Sequence, residues 1–287
     1  MQEQYYKIEN QESFEPKHIF ECGQCFRWNL EDDGSYTGVF NENVLNVKKE
    51  KDEVQFKGAV NGNIKEIVDE YFDLKRDYSK IKKELSEIDE NLNLSIKYGN
   101  GIRILNQDLW ETIISFIISA NNNIPRIKGI IEKMSKKYGK EIYYNGTKYY
   151  TFPRPEDLEN VTVEDFRNLG VGFRDIRLYK TTQMILENKI DLKSLYKEPT
   201  TNVKEKLLTL SGVGEKVADC ILLFSTLKRF DVFPIDVWVR RVMNELYIKN
   251  EDETNVNKRE IQKLAYEKFG KLEGLAQQYL FYWKREA

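Results

Sequence analysis

The chain has 287 residues, which is enough for a well-buried core and for more than one domain. Hydrophobic residues make up 40% and charged residues 32%, a balance that excludes a largely disordered chain. The net charge is only −2, so the charge of the whole chain does not favour nucleic acid. Any contact with phosphates therefore needs a local basic patch or backbone amides.

The cysteine content and the hydropathy of the chain indicate in which cellular compartment the protein is expected. The chain has 3 cysteines, an odd and small number that indicates a reducing environment. The polar N-terminus lacks the apolar stretch of a signal peptide, and no apolar run approaches the length of a bilayer span. We therefore expect an intracellular, cytoplasmic protein that does not bind a membrane.

The first hundred residues alternate apolar and polar side chains between turn signals such as Asp33-Gly34. This period of two predicts antiparallel strands with short connections. Helices are predicted at Ile64 to Tyr71 and near Tyr78 to Ile88. We expect a β-rich N-terminal domain over residues 1–100.

From residue 101 to 287 the period becomes helical, which predicts an all-α second domain. Asp108 is a candidate N-cap for a helix that is apolar nearly all round and should lie at the centre of the fold. The segment from Gly139 to Arg154 is predicted to be a loop. Further helices are predicted at Pro125 to Tyr138, Val163 to Leu169, Arg174 to Asn188, Val203 to Leu210, Glu215 to Leu227, Val237 to Ile248, Asn257 to Phe269 and Leu272 to Lys284.

The segment Leu208 to Val242 contains a helix end, a turn with Gly212 and Gly214, and a second helix. The glycines permit a tight turn and a close approach of a partner to the backbone. Amides at the start of the second helix suit a phosphate. The glycine pair alone is more typical of a helical turn without any ligand. The carbonyls of three residues could hold a monovalent cation: Leu208, Leu210 and Val213.

Lys216 lies at the start of the second helix, and Asp236 follows twenty residues later after Pro234-Ile235. A lysine near a helix N-terminus and beside apolar neighbours should have a lowered pKa, and a neutral amine can form a Schiff base with a sugar carbon. A carboxylate can stabilise the cationic sugar that develops as a glycosidic bond breaks. Alternatively, Lys216 is a solvated surface residue and Asp236 is a helix N-cap, a role compatible with catalysis.

This constellation resembles the helix-hairpin-helix superfamily of DNA glycosylases, whose hairpin is followed by a Gly/Pro-rich loop that ends in Asp. Within it, the segments LSGVGEKVADC and VFPIDV are similar to the 8-oxoguanine DNA glycosylases. The resemblance implies an α+β fold, in which an antiparallel sheet domain similar to TATA-binding protein precedes the helical glycosylase domain. It also implies that Lys216 is the nucleophile of base excision and strand cleavage, and that Asp236 assists it.

The same resemblance implies a base pocket. In Gly23-Gln24-Cys25-Phe26-Arg27-Trp28, the carbonyl of Gly23 would accept the hydrogen on N7 of 8-oxoguanine, where guanine has a lone pair. Gln277 and Phe281, four residues apart in the last helix, would contact the Watson–Crick edge and one face of the base. Cys220, one turn after Lys216, would lie at the other face. A turn glycine and ordinary core packing are the alternatives.

Five further residues are implied at the DNA interface. Asn121 would fill the gap left by the flipped base, and Arg126 and Arg174 would reach the opposite cytosine. Phe173, where many relatives have Tyr, would be the wedge that offsets the cost of unstacking, unless it packs into the core. Trp238 stands where related eukaryotic enzymes have His, so a single indole N–H would replace that phosphate contact.

His18, Cys22 and Cys25 are spaced like zinc ligands, but a fourth ligand is not evident. No cysteine follows Cys220, which excludes the C-terminal iron–sulfur loop of endonuclease-type relatives. We expect no required cofactor, a monomer, and duplex DNA with 8-oxoguanine opposite cytosine as the partner. Two alternatives are a glycosylase of this fold for another damaged purine and a non-catalytic DNA-binding module.

Overall fold

The N-terminal part of the chain is built on one antiparallel sheet. A computed structural model describes residues 2–9, 13–251 and 256–287. The strands lie in the order β1-β5-β4-β3-β2, with every neighbouring pair antiparallel. Gly38 of β3 lies opposite Trp28 of β2, and a side chain at Gly38 would collide with the Trp28 ring at 2.3 Å. The strands are β1 (Gln2–Ile8), β2 (Trp28–Leu30), β3 (Tyr36–Phe40), β4 (Asn43–Glu50) and β5 (Glu53–Val60).

Aromatic packing forms the core of this part. The Phe20 and Trp28 rings are stacked with centroids 4.0 Å apart, and Phe72 meets the Trp28 ring edge-on at 5.9 Å. Such offset and edge contacts add to the stabilisation from apolar burial. Among the described residues, the first third of the sequence also contains four helices: α1 (Pro16–Glu21), α2 (Ile64–Tyr71), α3 (Tyr78–Ser86) and α4 (Glu90–Tyr98).

The remainder of the chain is mainly helical around α5 (Leu109–Ser119), in which every residue except Glu111 and Ser119 is buried. Asp108 caps α5 by accepting a hydrogen bond from the Glu111 amide at 2.8 Å, as the sequence predicts. The other helices are α6 (Ile124–Tyr138), α7 (Val163–Asn168), α8 (Asp175–Leu186), α9 (Thr200–Leu208), α10 (Glu215–Phe224), α11 (Val237–Met243), α12 (Lys258–Phe269) and α13 (Glu273–Glu286).

The segment between α6 and α7 is not the loop that the sequence predicts. β6 (Glu141–Tyr144) and β7 (Thr147–Tyr150) form an antiparallel hairpin. Asn145 and Gly146 have φ values of 48° and 73°, the paired left-handed conformation that a two-residue hairpin turn requires. Ile142 packs with Val39, Val44 and Ala59 of the N-terminal sheet. The dipeptide Asn145-Gly146 is typical of such a turn and could have predicted this hairpin from the sequence.

The α+β prediction is confirmed: a five-stranded antiparallel sheet with helices is followed by a mainly helical region. Strand β1 and helix α4 are absent from the sequence prediction. Tyr78 and Leu85 of α3, together with Leu92 of α4, pack in the larger core with the helices that follow residue 100. The domain boundary near residue 100 stays a prediction. Within the described residues, none of the helices has both the length and the hydropathy needed to cross a membrane.

Candidate active site

A cleft of about 330 Å³ lies where segments distant in the sequence meet. Its walls come from the turn after α1, from α5, from α10, from the start of α11 and from α13. Its lining includes six residues that the sequence analysis singled out: Gly23, Lys216, Cys220, Asp236, Gln277 and Phe281; Phe116 and Gln278 line it as well. The cleft therefore brings together both predicted catalytic residues and all four predicted base-binding residues.

Lys216 and Asp236 reach this cleft from two different helix starts. Lys216 is the second residue of α10, and its amine lies 5.4 Å from the centre of the Phe116 ring. Asp236 is the N-cap of α11, where its Oδ1 accepts a hydrogen bond from the Val239 amide at 2.8 Å. The predicted cap is confirmed, and it restricts the carboxylate to one orientation. Both residues also line a second, larger groove, so they lie where the two cavities meet.

The pKa of Lys216 differs from the sequence prediction. Burial lowers the pKa of the amine, as expected for a cation taken out of water. The Cys220 sulfur and the Asp236 carboxylate raise that pKa, and the net direction is upward. The prediction of a lowered pKa is therefore wrong, because it considered burial and left out two partners that only the fold brings near. The amine of the free protein therefore keeps its proton at neutral pH.

The other side chains of the cleft suit a flat, polar ligand. Cys220 is buried, and burial raises the pKa of its thiol to about 11. Gln277 is 6% exposed, and its Oε1 has no hydrogen-bond partner in the described part of the chain. A buried carbonyl without a partner costs free energy unless a ligand supplies a donor. Phe281 is half-buried and presents its ring to the same space.

Gly23 closes one wall of the cleft with backbone alone. Its φ of 88° lies in the left-handed region, which favours glycine. A side chain at this position would also meet the Phe281 ring at 3.7 Å and the Arg285 guanidinium at 3.4 Å. The turn therefore needs glycine for its conformation, while a β-carbon would make only ordinary contacts with α13.

Helices α9 and α10 form the predicted hairpin. Gly212 has a φ of 90°, and a β-carbon there would lie 3.1 Å from Arg177 and 3.2 Å from Ile117. Gly214 has φ −100° and open space beside it, so a ligand can approach the start of α10. The Leu210 carbonyl accepts a hydrogen bond from the Val213 amide at 3.1 Å and closes the turn. A carbonyl oxygen has a second lone pair, so this bond does not occupy all of its acceptor capacity.

The larger groove runs past the hairpin and encloses about 1300 Å³ including its open side. Asn121, Trp238, Arg240 and Lys258 line it together with the two catalytic candidates. Asn121 is exposed with a φ of 53°, and Trp238 is 39% exposed. The sequence analysis missed Arg240 and Lys258, because isolated basic residues on helices give no pattern until the fold aligns them.

Arg174 is buried and holds the loop that carries Asn121. Its guanidinium donates to the carbonyls of Ala120 and Asn121, the latter at 2.8 Å, and to Val171 at 2.9 Å. The exposed Arg126 donates to the Gly170 carbonyl at 3.1 Å. The two predicted cytosine contacts thus lie on either side of the turn at 170–172, and their contact with DNA stays a prediction.

Phe173 is 56% exposed, so the alternative in which it packs into the core is wrong. The guanidinium groups of Arg174 and Arg177 lie over its ring, 4.3 Å and 5.1 Å from the centre. Arg177 is exposed, makes no ion pair with any carboxylate among the described residues, and lies against Gly212 of the hairpin. Arg177 was not predicted, and it links the exposed ring to the hairpin.

The zinc alternative finds no support in the fold. In the described ranges no three His, Cys, Asp or Glu side chains come together as metal ligands. The Cys22 thiol donates to the Ile19 carbonyl at 3.3 Å, and His18 accepts a hydrogen bond from the Gly101 amide at 3.2 Å. These side chains thus have hydrogen-bond partners within the protein.

Comparison with known proteins agrees with this geometry. Residues 7–113 match the family described as 8-oxoguanine DNA glycosylase, N-terminal domain, and residues 114–269 match the HhH-GPD superfamily base excision DNA repair proteins. A probable N-glycosylase/DNA lyase of Methanothermobacter thermautotrophicus is 32% identical over 238 residues, which is 76% of this chain and 74% of the relative.

Two solved structures are similar over the whole chain. One is the 8-oxoguanine glycosylase/lyase of Clostridium acetobutylicum in complex with double-stranded DNA containing cytosine opposite 8-oxoguanine, with TM-score 0.93, 43% identity, and coverage of 99% of this chain and 97% of that one. The other is MBOgg1 in complex with a low-affinity DNA ligand, with TM-score 0.92, 44% identity, and coverage of 100% and 99%. The chain belongs to the HhH-GPD superfamily of base excision DNA repair proteins and, within it, to the 8-oxoguanine DNA glycosylase/lyase family.

Proposed function

We propose that this protein excises 8-oxoguanine from double-stranded DNA and then cleaves the strand at the resulting abasic site. The observation that carries this proposal is the meeting of Lys216 and Asp236 at the junction of a base-sized cleft and an open groove. A nucleotide whose sugar lies at that junction can place its base in the cleft and its flanking phosphates in the groove.

Lys216 is the proposed nucleophile. Its neutral amine forms a bond to C1′ as the bond from C1′ to the base nitrogen breaks, and the electron pair leaves with the base, which takes up a proton. The sugar ring then opens to a protonated Schiff base. Loss of a proton from C2′ expels the 3′ phosphate and breaks the strand.

Asp236 is the proposed stabiliser of the positive charge that develops on the sugar in the first step. A carboxylate placed before the reaction costs no reorganisation when that charge appears. Its bond to the Val239 amide supplies this preorganisation, since the side chain cannot rotate away without losing the cap.

The cleft accounts for the choice of base. Gln277, with its partnerless Oε1, is the proposed contact to the Watson–Crick edge. Phe281 and Cys220 are the proposed neighbours of the two base faces. The proposed role of Gly23 is to accept the hydrogen that 8-oxoguanine carries on N7 and that guanine lacks.

The groove accounts for binding to duplex DNA. Phe173, exposed and backed by two guanidinium groups, is the proposed wedge, and Asn121 the residue that fills the emptied position. Arg126 and Arg174 are proposed to favour cytosine opposite the lesion. The start of α10 at Gly214 and the Trp238 indole are proposed phosphate contacts. The carbonyls of Leu208, Leu210 and Val213 are proposed to hold a monovalent cation beside that phosphate.

Excision from a single 8-oxoguanine:cytosine duplex, analysed on a gel with and without alkali, tests the function. We expect strand breaks without alkali, and slower cleavage when adenine replaces cytosine. Borohydride should trap a covalent complex that Lys216→Gln abolishes, while Lys206→Gln, a change on the neighbouring helix α9 outside both cavities, leaves it intact.

Three outcomes would count against the proposal. Trapping by the Lys216→Gln protein would remove the nucleophile assignment. Faster excision of another damaged purine from a panel of lesion duplexes would change the substrate. Binding of DNA without any excision would leave only a DNA-binding module. The protein is proposed to be intracellular and to act as a monomer. Sedimentation of the protein–DNA complex tests the oligomeric state.

A further inference from the structure

Two glutamine side chains hold the backbone on either side of Gly23. Gln278, on α13, donates from Nε2 to the Cys22 carbonyl at 2.5 Å. Gln107, directly before the cap of α5, donates from Nε2 to the Gln24 carbonyl at 2.7 Å and to the Phe224 carbonyl at 2.9 Å. The Cys22–Gly23 peptide is thus tied to α13, and the Gln24–Cys25 peptide is tied through Gln107 to the end of α10.

These two connections lead to the helices that carry the rest of the cleft. α13 contains Gln277 and Phe281, and α10 contains Lys216 and Cys220. Hydrogen bonds depend steeply on distance and angle, whereas apolar contacts tolerate sliding. Directional bonds therefore fix the distance of the Gly23 wall from the reacting groups more closely than apolar packing alone would.

The side chain of Gln24 also holds the turn at Gly23, through the segment that precedes α5. This side chain is fully buried, accepts a hydrogen bond from the Leu105 amide at 2.8 Å, and donates to the Arg103 carbonyl at 2.8 Å. This contact anchors the turn to the segment before α5. Gln278 connects the turn to α13, where Arg285 also donates to the Glu21 carbonyl, and Gln107 connects it to α10.

We propose that Gln107 and Gln278 are positioning residues that set the selectivity of the cleft, an inference that rests on the proposed function. 8-Oxoguanine and guanine differ at N7 by one hydrogen, so a polar wall discriminates between them only if its distance to the base is closely controlled. Loss of either amide lets the Gly23 wall shift and weakens base selection. Lys216 and Asp236 lie at the starts of α10 and α11, whereas the Gln107 bond reaches α10 only at its last residue, Phe224.

The test compares two reactions of the same protein. Gln278→Met and Gln107→Met keep the side-chain length and remove the donor. Single-turnover excision from an 8-oxoguanine:cytosine duplex should fall by about 10- to 100-fold, since small displacements of a positioned group have effects of this size. Cleavage of a preformed abasic site needs no base in the cleft and should fall far less. Excision of guanine relative to 8-oxoguanine should rise.

Gln262→Met, an exposed change on α12, is the matched control and should alter neither reaction. An equal loss of excision and abasic cleavage in the Gln107 and Gln278 variants would overturn the proposal, because it would mean general damage to the fold. Unchanged selectivity in a variant that melts like the wild type would also overturn it. If Gln278→Met does not fold, Gln107→Met decides.

The two proposals fail separately. A wild-type protein that prefers another base contradicts the proposed substrate, while the ratio of that excision to abasic cleavage still tests the two glutamines.

Discussion

The surroundings of Lys216 act on the pKa of its amine in opposite directions. Burial favours the neutral amine, while Cys220 and Asp236 favour the ammonium and prevail. Reaction requires the neutral form, so the groups that position the amine also keep it protonated in the free protein.

Abasic-site cleavage should therefore become faster as pH rises from neutral to alkaline. The pKa of Lys216 is raised, so the neutral fraction below that pKa grows about tenfold per pH unit. Borohydride trapping rates measured across pH test this expectation. Cys220→Ala removes a group that raises the pKa of Lys216 and should shift the rising limb to lower pH.

Cys25→Ala, in the separate core of the N-terminal sheet, provides the control for loss of a buried thiol. It should leave the pH profile unchanged. A flat profile in the wild type would mean that loss of the Lys216 proton does not limit the reaction.

At the scale of elements, the hairpin of α9 and α10 depends on two glycines for different reasons. Gly212 has a left-handed φ and close neighbours on two helices. Both the backbone conformation and the lack of space for a side chain therefore favour glycine at this position. Gly214 has an ordinary φ and open space beside it. The absence of a side chain there leaves room for a ligand at the start of α10. Thr181 of α8 donates to the Ser211 carbonyl at 2.8 Å and fixes the hairpin to the rest of the domain.

Gly212→Ala should lower the free energy of unfolding by about 1–3 kcal/mol, because a β-carbon is strained at that φ and crowds Arg177. Gly214→Ala should change it by less than about 0.5 kcal/mol and should weaken DNA binding, since the methyl group stands where a phosphate approaches. Urea denaturation and fluorescence anisotropy measure the two effects. Unchanged affinity in Gly214→Ala would remove the phosphate site from the hairpin.

At the scale of the whole molecule, charge is distributed unevenly. The net charge is −2, yet Lys216, Arg240 and Lys258 line one groove, and Arg177 lies exposed beside the hairpin. Phosphate binding follows the local potential rather than the sum of charges. A nearly neutral chain can therefore bind DNA through one face.

DNA affinity should fall with salt because bound phosphates release counterions. Arg177→Gln should reduce the slope of log affinity against log salt by about 1, the value for one lost phosphate contact. Lys57→Gln, an exposed change on β5 outside the groove, should leave the slope as it is. An equal slope for Arg177→Gln and wild type would show that this guanidinium supports Phe173 without touching the backbone of DNA.

The features that the sequence predicted correctly are local ones. The strands β3 to β5, the helix α5, the hairpin glycines and the Asp236 cap follow from side-chain periodicity and from residues within four positions of each other. Strand β1 was missed because its partner, β5, lies about fifty residues away and its own pattern is weak. Helix α4 was missed although Asp89 caps it, because its short apolar stripe is interrupted by asparagines.

The sequence by itself determined the family, and it predicted Lys216, Asp236 and the proposed base-binding residues, which the fold brings to one cleft. Only the tertiary structure decided that the pKa of Lys216 rises, that Arg174 is buried beneath the Asn121 loop, and that Gln107 and Gln278 hold Gly23. Gln107 lies 83 positions from Gln24, and Gln278 lies 256 positions from Cys22. Periodicity and capping act within a few residues, whereas pKa values and hydrogen-bond partners depend on the neighbours that folding brings together.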